Sequence, residues 1–159
     1  MNGKDRIRKL AGWLLLPLLL CGCNQQDDVE EIFCSGTWYV VDYYTNVKWG
    51  ANNDTSARPV NGNNLEELKV LQQFTLVFSD DGTLEGKIEN GTYAGKWQAD
   101  PDGRTVSITQ LKASVGLSGR NKKYIEFLQN CSFYEGNSLN YLRLAPTETV
   151  TCIQFTHKD

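Results

Sequence analysis

The sequence has few of the side chains on which most catalytic sites depend. Its 159 residues include one histidine, His157, which lies near the C-terminal end and is expected in a solvated tail. Histidine is the usual general base near neutral pH, and Ser/His/Asp or Cys/His devices require one. The sequence therefore predicts no catalytic residue, no cofactor and no enzymatic activity.

Clustered metal ligands are also absent. The five cysteines contain no Cys-x-x-Cys pair, whereas a zinc site needs several nitrogen or sulfur ligands in a tetrahedral array. The acidic turns at residues 80–81 and 100–102 offer carboxylates to calcium. Aspartate beside glycine is explained by turn chemistry alone, so we expect no metal site.

Basic charge is scarce after the first nine residues. The chain has 16 Lys and Arg against 19 Asp and Glu, for a net charge of -3. Residues 1–22 hold four basic side chains and one acid, so the remainder carries a net charge of -6. No basic stripe follows, and nucleic acid is not an expected partner.

The N-terminal segment has the order of a secretory signal. Basic residues at 4–9 precede an apolar run at residues 10–20, which Gly12 and Pro17 interrupt. A helix that crosses a bilayer needs roughly 20 apolar residues, so this run is too short to be a stable span. We expect residues 1–22 to be a cleaved signal peptide.

The motif Leu20-Cys21-Gly22-Cys23 resembles the bacterial lipobox. In that motif a small residue precedes the lipidated cysteine, so Cys23 is the predicted lipidation site and Cys21 the alternative. Two or more acyl chains make membrane anchoring stable. The polar, acidic residues 23–31 are expected to form a disordered tether. They resemble the surface-export signal of many Bacteroidota lipoproteins, which implies an outer-membrane protein at the cell surface; the alternative is the periplasmic face.

From residue 32 onward the hydrophobic period is mostly two, which predicts β-strands. Asp-Gly and Asn-Gly turns divide residues 74–111 into a four-stranded meander, and three more strands follow residue 131. Helical spacing appears at residues 118–129, and Asn64 is positioned to cap a short helix inside the long loop from Thr45 to about Gln73. The prediction is one all-β domain, residues 32–159, forming a small antiparallel β-barrel of about eight strands with one or two short helices.

The order of elements resembles the META-type and lipocalin-like lipoprotein domains of bacteria. The matching motifs are Gly36-Thr37-Trp38, Asp81-Gly82-Thr83, Asn90-Gly91-Thr92-Tyr93 and residues 124–128. Cysteines that are frequent in META-type domains are missing at Glu89 and at residues 113–115. Most of those families have no assigned function, so the resemblance implies a fold and an envelope location.

Three cysteines remain after lipidation. In consecutive hairpins Cys131 and Cys152 would lie on either side of a middle strand, roughly 9 Å apart, which is too far for a disulfide. Barrel closure brings the first and last strands together, which favours a disulfide between Cys34 and Cys152. The alternative is three free, partly buried thiols.

Aromatic residues at the end of the first strand and in the long loop are the candidate binding residues. Tyr43, Tyr44 and Trp49 are predicted to form the rim of a ligand site, and the alternative is a loop packed over the barrel mouth. The expected function is a non-enzymatic cell-envelope lipoprotein that binds a glycan, peptide or envelope protein. The alternative is a structural envelope component with a filled barrel.

Lipidation at Cys23 is directly testable. Labelled palmitate should be incorporated into the wild-type protein and the Cys21→Ser variant in growing cells, but not into Cys23→Ser, because only Cys23 has a small residue before the cleavage site. Palmitate retained by Cys23→Ser would contradict the assignment.

Overall fold

The computed structural model describes residues 25–50 and 54–158 of the chain. The predicted signal peptide, Cys21 and the predicted lipidation site Cys23 lie outside these residues. In the described part, three helices and nine strands alternate in the order α1 (Gln25–Phe33), β1 (Thr37–Thr45), β2 (Arg58–Pro59), α2 (Leu65–Leu71), β3 (Thr75–Phe78), β4 (Thr83–Ile88), β5 (Gly91–Asp100), β6 (Thr105–Ala113), α3 (Gly119–Gln129), β7 (Phe133–Gly136), β8 (Leu142–Ala145) and β9 (Thr151–Thr156).

The sheet is antiparallel and closes into a ring. Strands β3 to β9 follow each other as hydrogen-bonded neighbours. Strand β1 completes the ring, because it pairs with β3 from Thr37 to Tyr39 and with β9 from Tyr39 to Thr45. The two-residue strand β2 is an addition beside the second half of β1. The ring thus has eight strands, which confirms the predicted small β-barrel.

Local sequence signals account for the hairpins. Between β3 and β4, Gly82 takes the left-handed conformation with a φ of 78°, and the Asp81 carboxylate accepts the backbone N–H of Thr83. Between β4 and β5, Asn90 has a φ of 60°. These are the backbone conformations that tight turns require, so the meander forms where the turn residues predict it.

The predicted helices are also present. The Asn64 side chain accepts the backbone N–H of Glu67 at 3.1 Å and caps α2. Helix α3 buries Tyr124 and Ile125 together with Leu128, which lies four and three residues after them on the same face.

Side chains fill the interior of the barrel. Alternate strand residues point inward, as in β4, where Leu84, Gly86 and Ile88 are buried between exposed neighbours. The largest fully buried side chains in the described core include Trp38, Tyr124, Phe33, Phe74, Phe155 and Leu76. An eight-stranded barrel has an interior that side chains of this size can fill.

One end of the barrel is closed by α1. The Phe33 ring stacks on Trp97 at 4.9 Å and meets Phe78 and Tyr134 edge-on at 4.8 and 4.9 Å. Its side chain is fully buried, and its carbonyl oxygen accepts the indole N–H of Trp38. Phe33 therefore occupies an aromatic box at this end, and the box is the anchor of α1.

The other end is closed by α3. The Tyr124 ring meets Phe74 edge-on at 5.1 Å, and the Tyr124 hydroxyl lies 3.0 Å from the hydroxyl of Tyr93. Phe127, one turn of helix further on, packs edge-on against Tyr43 at 5.3 Å. Aromatic side chains from two helices therefore close both ends.

The predicted tether differs from the structure. Helix α1 begins at Gln25, whereas a disordered segment was expected as far as Glu31. The reason is that Val29 and Phe33, four residues apart, are both buried in the barrel core. The folded domain therefore begins before the predicted boundary at Ile32.

None of the helices in the described ranges combines the length and the apolar character needed to cross a membrane.

Truncation of the aromatic plug should destabilise the fold. Phe33→Ala leaves a cavity among three rings, and we expect the free energy of unfolding to fall by about 3–5 kcal/mol. The matched control is Leu65→Ala on α2, where the leucine is 67% exposed and the change should stay within about 0.5 kcal/mol. Urea denaturation measures both. Equal stability of the two variants would show that α1 is not docked.

Candidate functional site

The structure separates the three predicted rim residues. Tyr43 points into the barrel, where its ring packs on Phe127 and lies 4.5 Å beneath the ammonium of Lys123. An irregularity in the pairing of β1 with β9, between Val40 and Asp42, shifts the alternation and turns Tyr43 inward. Its hydroxyl is buried without a partner among the described residues, and burial raises its pKa well above the ordinary value.

Tyr44 and Trp49 lie on the outer wall instead. Both are half-buried against a small cluster of the buried residues Val47, Ala145 and Cys152. This arrangement corresponds to a loop packed against the barrel, although on its side rather than over its mouth. A shared rim of Tyr43, Tyr44 and Trp49 is therefore not formed in this structure.

The described parts of the long loop are fastened to the outer wall by buried carboxylates. Asp42 is 2% exposed and accepts the backbone N–H and the side-chain amide of Asn61 at 2.9 and 2.8 Å. Glu135, on β7, accepts the backbone N–H of Gly50 at 3.1 Å. Carboxylate oxygens make strong hydrogen bonds with N–H donors, so these contacts hold the loop in place.

Asp54 organises the loop locally. Its carboxylate accepts the Ser56 hydroxyl and the backbone N–H groups of Lys48, Ser56 and Ala57. These hydrogen bonds, that of the Ser56 hydroxyl foremost, lower the pKa of Asp54 to about 2. The Asp54 carboxylate therefore stays ionised and keeps these hydrogen bonds until the pH falls towards 2.

A buried ion pair lies under the loop and was not predicted. Arg143 on β8 faces Glu135 at 3.7 Å and donates from Nε to the Gln154 side chain at 2.9 Å. The second carboxylate oxygen of Glu135 accepts no hydrogen bond within the described residues. These three residues are neighbours on consecutive strands. Their adjacency depends on the strand register, which the sequence alone does not reveal. Their contacts identify a structural clamp for the loop.

The predicted disulfide between Cys34 and Cys152 is not formed. Cys34, Cys131 and Cys152 are free thiols. Strands β1 and β9 do pair, but Tyr44 lies opposite Cys152 while Tyr39 lies opposite Thr156, so Cys34 and Cys152 are at opposite ends of the pair. Burial raises the pKa of Cys152 to about 12, which keeps this thiol protonated.

His157 is part of the folded wall rather than a solvated tail. Its ring centroid lies 3.8 Å from that of Trp38. Its two nitrogens lie 3.0 Å from the Ser35 hydroxyl and 2.9 Å from the Thr37 carbonyl oxygen. The ring of His157 is therefore packed against Trp38, and both of its nitrogens have hydrogen-bond partners.

The acidic turns use their carboxylates for turn hydrogen bonds. Asp81 accepts from Thr83, and Asp100 accepts the backbone N–H of Asp102. Across residues 25–50 and 54–158, no three His, Cys, Asp or Glu side chains converge in a way that could hold a metal ion.

An open cleft of about 600 Å³ crosses the outer wall from β1 to β6, and we call it the wall trough. Two rows of outward side chains line it, and members of a row are neighbours on consecutive strands. One row is Thr37, Val77, Glu85, Ala94 and Lys112. The other is Tyr39, Thr75, Lys87, Thr92 and Ser114. The volume is within the range of about 300–1,000 Å³ typical of ligand sites.

The trough exists because β3 and β4 part at one end. At Thr75 the strands are joined through side chains: Lys87 donates its backbone N–H to the Thr75 hydroxyl, and the Tyr93 hydroxyl donates to the Thr75 carbonyl oxygen. Gly86 forms the floor beside Tyr93. A Cβ there would lie 2.0 Å from the Thr75 carbonyl oxygen and 2.5 Å from the Tyr93 hydroxyl, so only glycine fits.

The floor is fixed to the helix that closes the barrel. The Tyr93 hydroxyl contacts both Thr75 and the Tyr124 hydroxyl on α3. Burial raises the pKa of both tyrosines well above the ordinary value, so both remain neutral. The trough is therefore preformed and rigid at its centre.

The trough has more basic than acidic side chains, whereas the chain as a whole has a net negative charge. Lys87 and Lys112 line it, and Lys158 lies 4.2 Å above the Tyr39 ring at its edge. None of the three pairs with a carboxylate among the residues that the structure describes. Glu85 is the single carboxylate among the described lining residues.

A second cleft, of about 570 Å³, lies beside α1 and has the opposite charge. Its lining includes Glu30, Asp80, Asp100 and Asp102. The two clefts therefore suit ligands of opposite sign, and only the wall trough has unpaired cations.

These features define a filled antiparallel β-barrel domain with helices closing both ends and an open trough on its wall. The chain belongs to the DUF4847 family, a domain of unknown function, whose model matches residues 24–157. The resemblance to META-type and lipocalin-like domains stays a prediction.

Two solved structures are similar to this fold. One is a DUF4847 family protein from Bacteroides vulgatus, with 38% sequence identity, a TM-score of 0.75, and coverage of 82% of this chain and 97% of the other. The other is a protein from Burkholderia xenovorans, with 13% identity, a TM-score of 0.51, and coverage of 85% and 88%, which shows likeness of fold alone. No curated protein matches the sequence.

Filling the floor of the trough should strain the fold. Gly86→Ala places a methyl group against the Thr75 carbonyl oxygen, and we expect a loss of about 1–3 kcal/mol in unfolding free energy. Gly116→Ala is the control, since a Cβ there meets nothing within 4 Å. Thermal or urea unfolding compares them, and a Gly86→Ala variant as stable as the control would contradict the described floor.

Proposed function

We propose that this protein is a non-enzymatic, lipid-anchored binding module of the bacterial cell envelope that recognises its partner on the outer wall of the barrel. The barrel itself is a solid scaffold. The wall trough is the recognition surface, and the partner is a glycan, a peptide or an envelope protein.

The observation that carries this proposal is the filled and closed interior. Lipocalin-like binding requires an internal or mouth cavity, typically larger than about 300 Å³. Here Phe33 occupies the aromatic box at one end, and Tyr124 packs on Phe74 at the other. A ligand inside the barrel would have to displace one of these plugs.

The chemistry of the reactive side chains supports a non-enzymatic role. The His157 ring is engaged by Trp38, Ser35 and Thr37. Burial raises the pKa of the Cys131 thiol well above its ordinary value, and a protonated thiol is a poor nucleophile. The Ser35 hydroxyl lies beside His157, but it donates to the Ile32 carbonyl oxygen at 2.7 Å, which supports a structural role for this pair.

The envelope location follows from the sequence. The lipobox-like motif ending at Cys23 and the apolar run before it support export and lipidation. The acidic residues after Cys23 favour the cell surface, with the periplasmic face as the alternative. The similar family protein from Bacteroides vulgatus supports a bacterial origin.

The filled barrel also favours a second candidate, a structural component of the envelope with no small-molecule site. The binding module and the structural component differ in whether their function depends on the trough residues. A structural component would function unchanged after substitutions in the trough, whereas a binding module would not.

Native mass spectrometry tests whether the barrel is a scaffold. The full-length protein, purified in detergent from the envelope of its own bacterium, should have the mass of the lipidated polypeptide alone. The Phe33→Ala variant is the comparison, because its opened end should admit small apolar probes. A small molecule that co-purifies with the wild-type protein and is released on unfolding would overturn the proposal.

A further inference from the structure

We propose that the wall trough binds a linear acidic glycan, a polysaccharide that carries carboxylate groups on its sugar rings. This inference rests on the proposed function and names the partner class of the same surface. Three properties of the trough support it: its charge, its hydroxyl lining and its rigid floor.

The charge favours an anionic ligand. Lys87 on β4 lies opposite Thr92, Lys112 on β6 lies opposite Ala94, and Lys158 lies at the β1 edge. The Lys158 ammonium also donates to the Gln72 carbonyl oxygen at 2.9 Å, which fixes its position. After removal of residues 1–22 the chain has a net charge of -6, so unpaired lysines in one trough are a local reversal of sign. Ammonium groups make charge-assisted hydrogen bonds with carboxylates.

The uncharged lining favours a sugar. Thr37, Thr92 and Ser114 contribute hydroxyl groups, which donate and accept hydrogen bonds as sugar hydroxyls do. The Ser114 hydroxyl already accepts the Thr92 backbone N–H at 2.9 Å and has further capacity. The half-buried Tyr39 ring lies 4.2 Å beneath the Lys158 ammonium and so helps to hold this cation at one end of the trough.

An extended peptide fits the trough less well. Peptides that bind sheets usually add a strand to a free edge. The central strands β3, β4 and β5 each pair on both edges, so their backbone groups are occupied. Among the described lining residues, the outward apolar groups are Val77, Ala94 and the Tyr39 ring beneath Lys158, which gives a peptide side chain few apolar contacts.

The rigid floor lowers the cost of binding. Thr75, Gly86 and Tyr93 are locked by the contacts that join β3 to β4 and to α3. A preformed surface loses little conformational entropy when a ligand binds, which favours recognition of a semi-rigid polysaccharide.

Binding to polygalacturonate tests the proposal. Isothermal titration of the full-length protein in detergent should show binding to this polymer, weakening as salt is raised. The Lys87→Glu/Lys112→Glu double variant should bind at least about tenfold more weakly, because two charge-assisted contacts become repulsive. The charge-matched control, Lys69→Glu/Lys122→Glu, changes exposed lysines on α2 and α3 and should bind as the wild type does.

Two further polymers define the class of ligand. Neutral galactan and polyglutamate should each bind at least about tenfold more weakly than polygalacturonate, the first for lack of charge and the second for lack of sugar hydroxyls. The proposal is overturned if polygalacturonate does not bind, if the trough variant binds as the wild type does, or if polyglutamate binds equally well. Thermal melting verifies that both double variants are folded.

Failure here is distinguishable from failure of the proposed function. If the protein holds no small molecule inside the barrel and does not bind polygalacturonate, the outer-wall scaffold stands and only the acidic glycan is ruled out. A small molecule found inside the barrel would remove the scaffold itself.

Discussion

The contact of Phe33 with three aromatic rings is the interaction on which the rest of the structure depends. It docks α1, closes one end of the barrel, and joins the residues after the predicted lipid anchor to the core. Because Gln25 begins α1 only two residues after Cys23, a lipidated chain would hold the barrel close to the membrane rather than on a long flexible tether. The aromatic contact thus closes the interior and fixes the first described helix to the core.

With the interior closed, the outer wall is the surface that the barrel offers to a partner. The long loop lies against β1, β7, β8 and β9 through Asp42 and Glu135, so that part of the wall is covered. The opposite part, from β1 to β6, stays open and carries the trough. The same barrel therefore has one wall that is fastened by buried carboxylates and one that presents unpaired lysines. This asymmetry is the basis for proposing the open wall as the recognition surface.

Features with local signals could be predicted from the sequence. The Asp-Gly and Asn-Gly turns, the Asn64 cap and the spacing of Tyr124 and Leu128 each depend on neighbouring residues, and each element forms as expected. Helix α1 also has a local signal, because Val29, Ile32 and Phe33 have helical spacing, but its acidic composition favoured disorder.

Features that depend on register could not be predicted. The inward turn of Tyr43 follows from an irregularity in the pairing of β1 with β9, and that pairing also separates Cys34 from Cys152. The Glu135–Arg143 pair and both rows of the trough consist of residues that are distant in sequence and adjacent across strands. Their composition is visible in the sequence, but their juxtaposition is not.

The decisive measurement is a high-resolution crystal structure of the protein purified from its native host. If the barrel is a solid scaffold, side chains will explain all density in its interior, with Phe33 stacked on Trp97. Additional elongated density among Trp38, Leu76 and Phe155, with Phe33 displaced from its box, would contradict it.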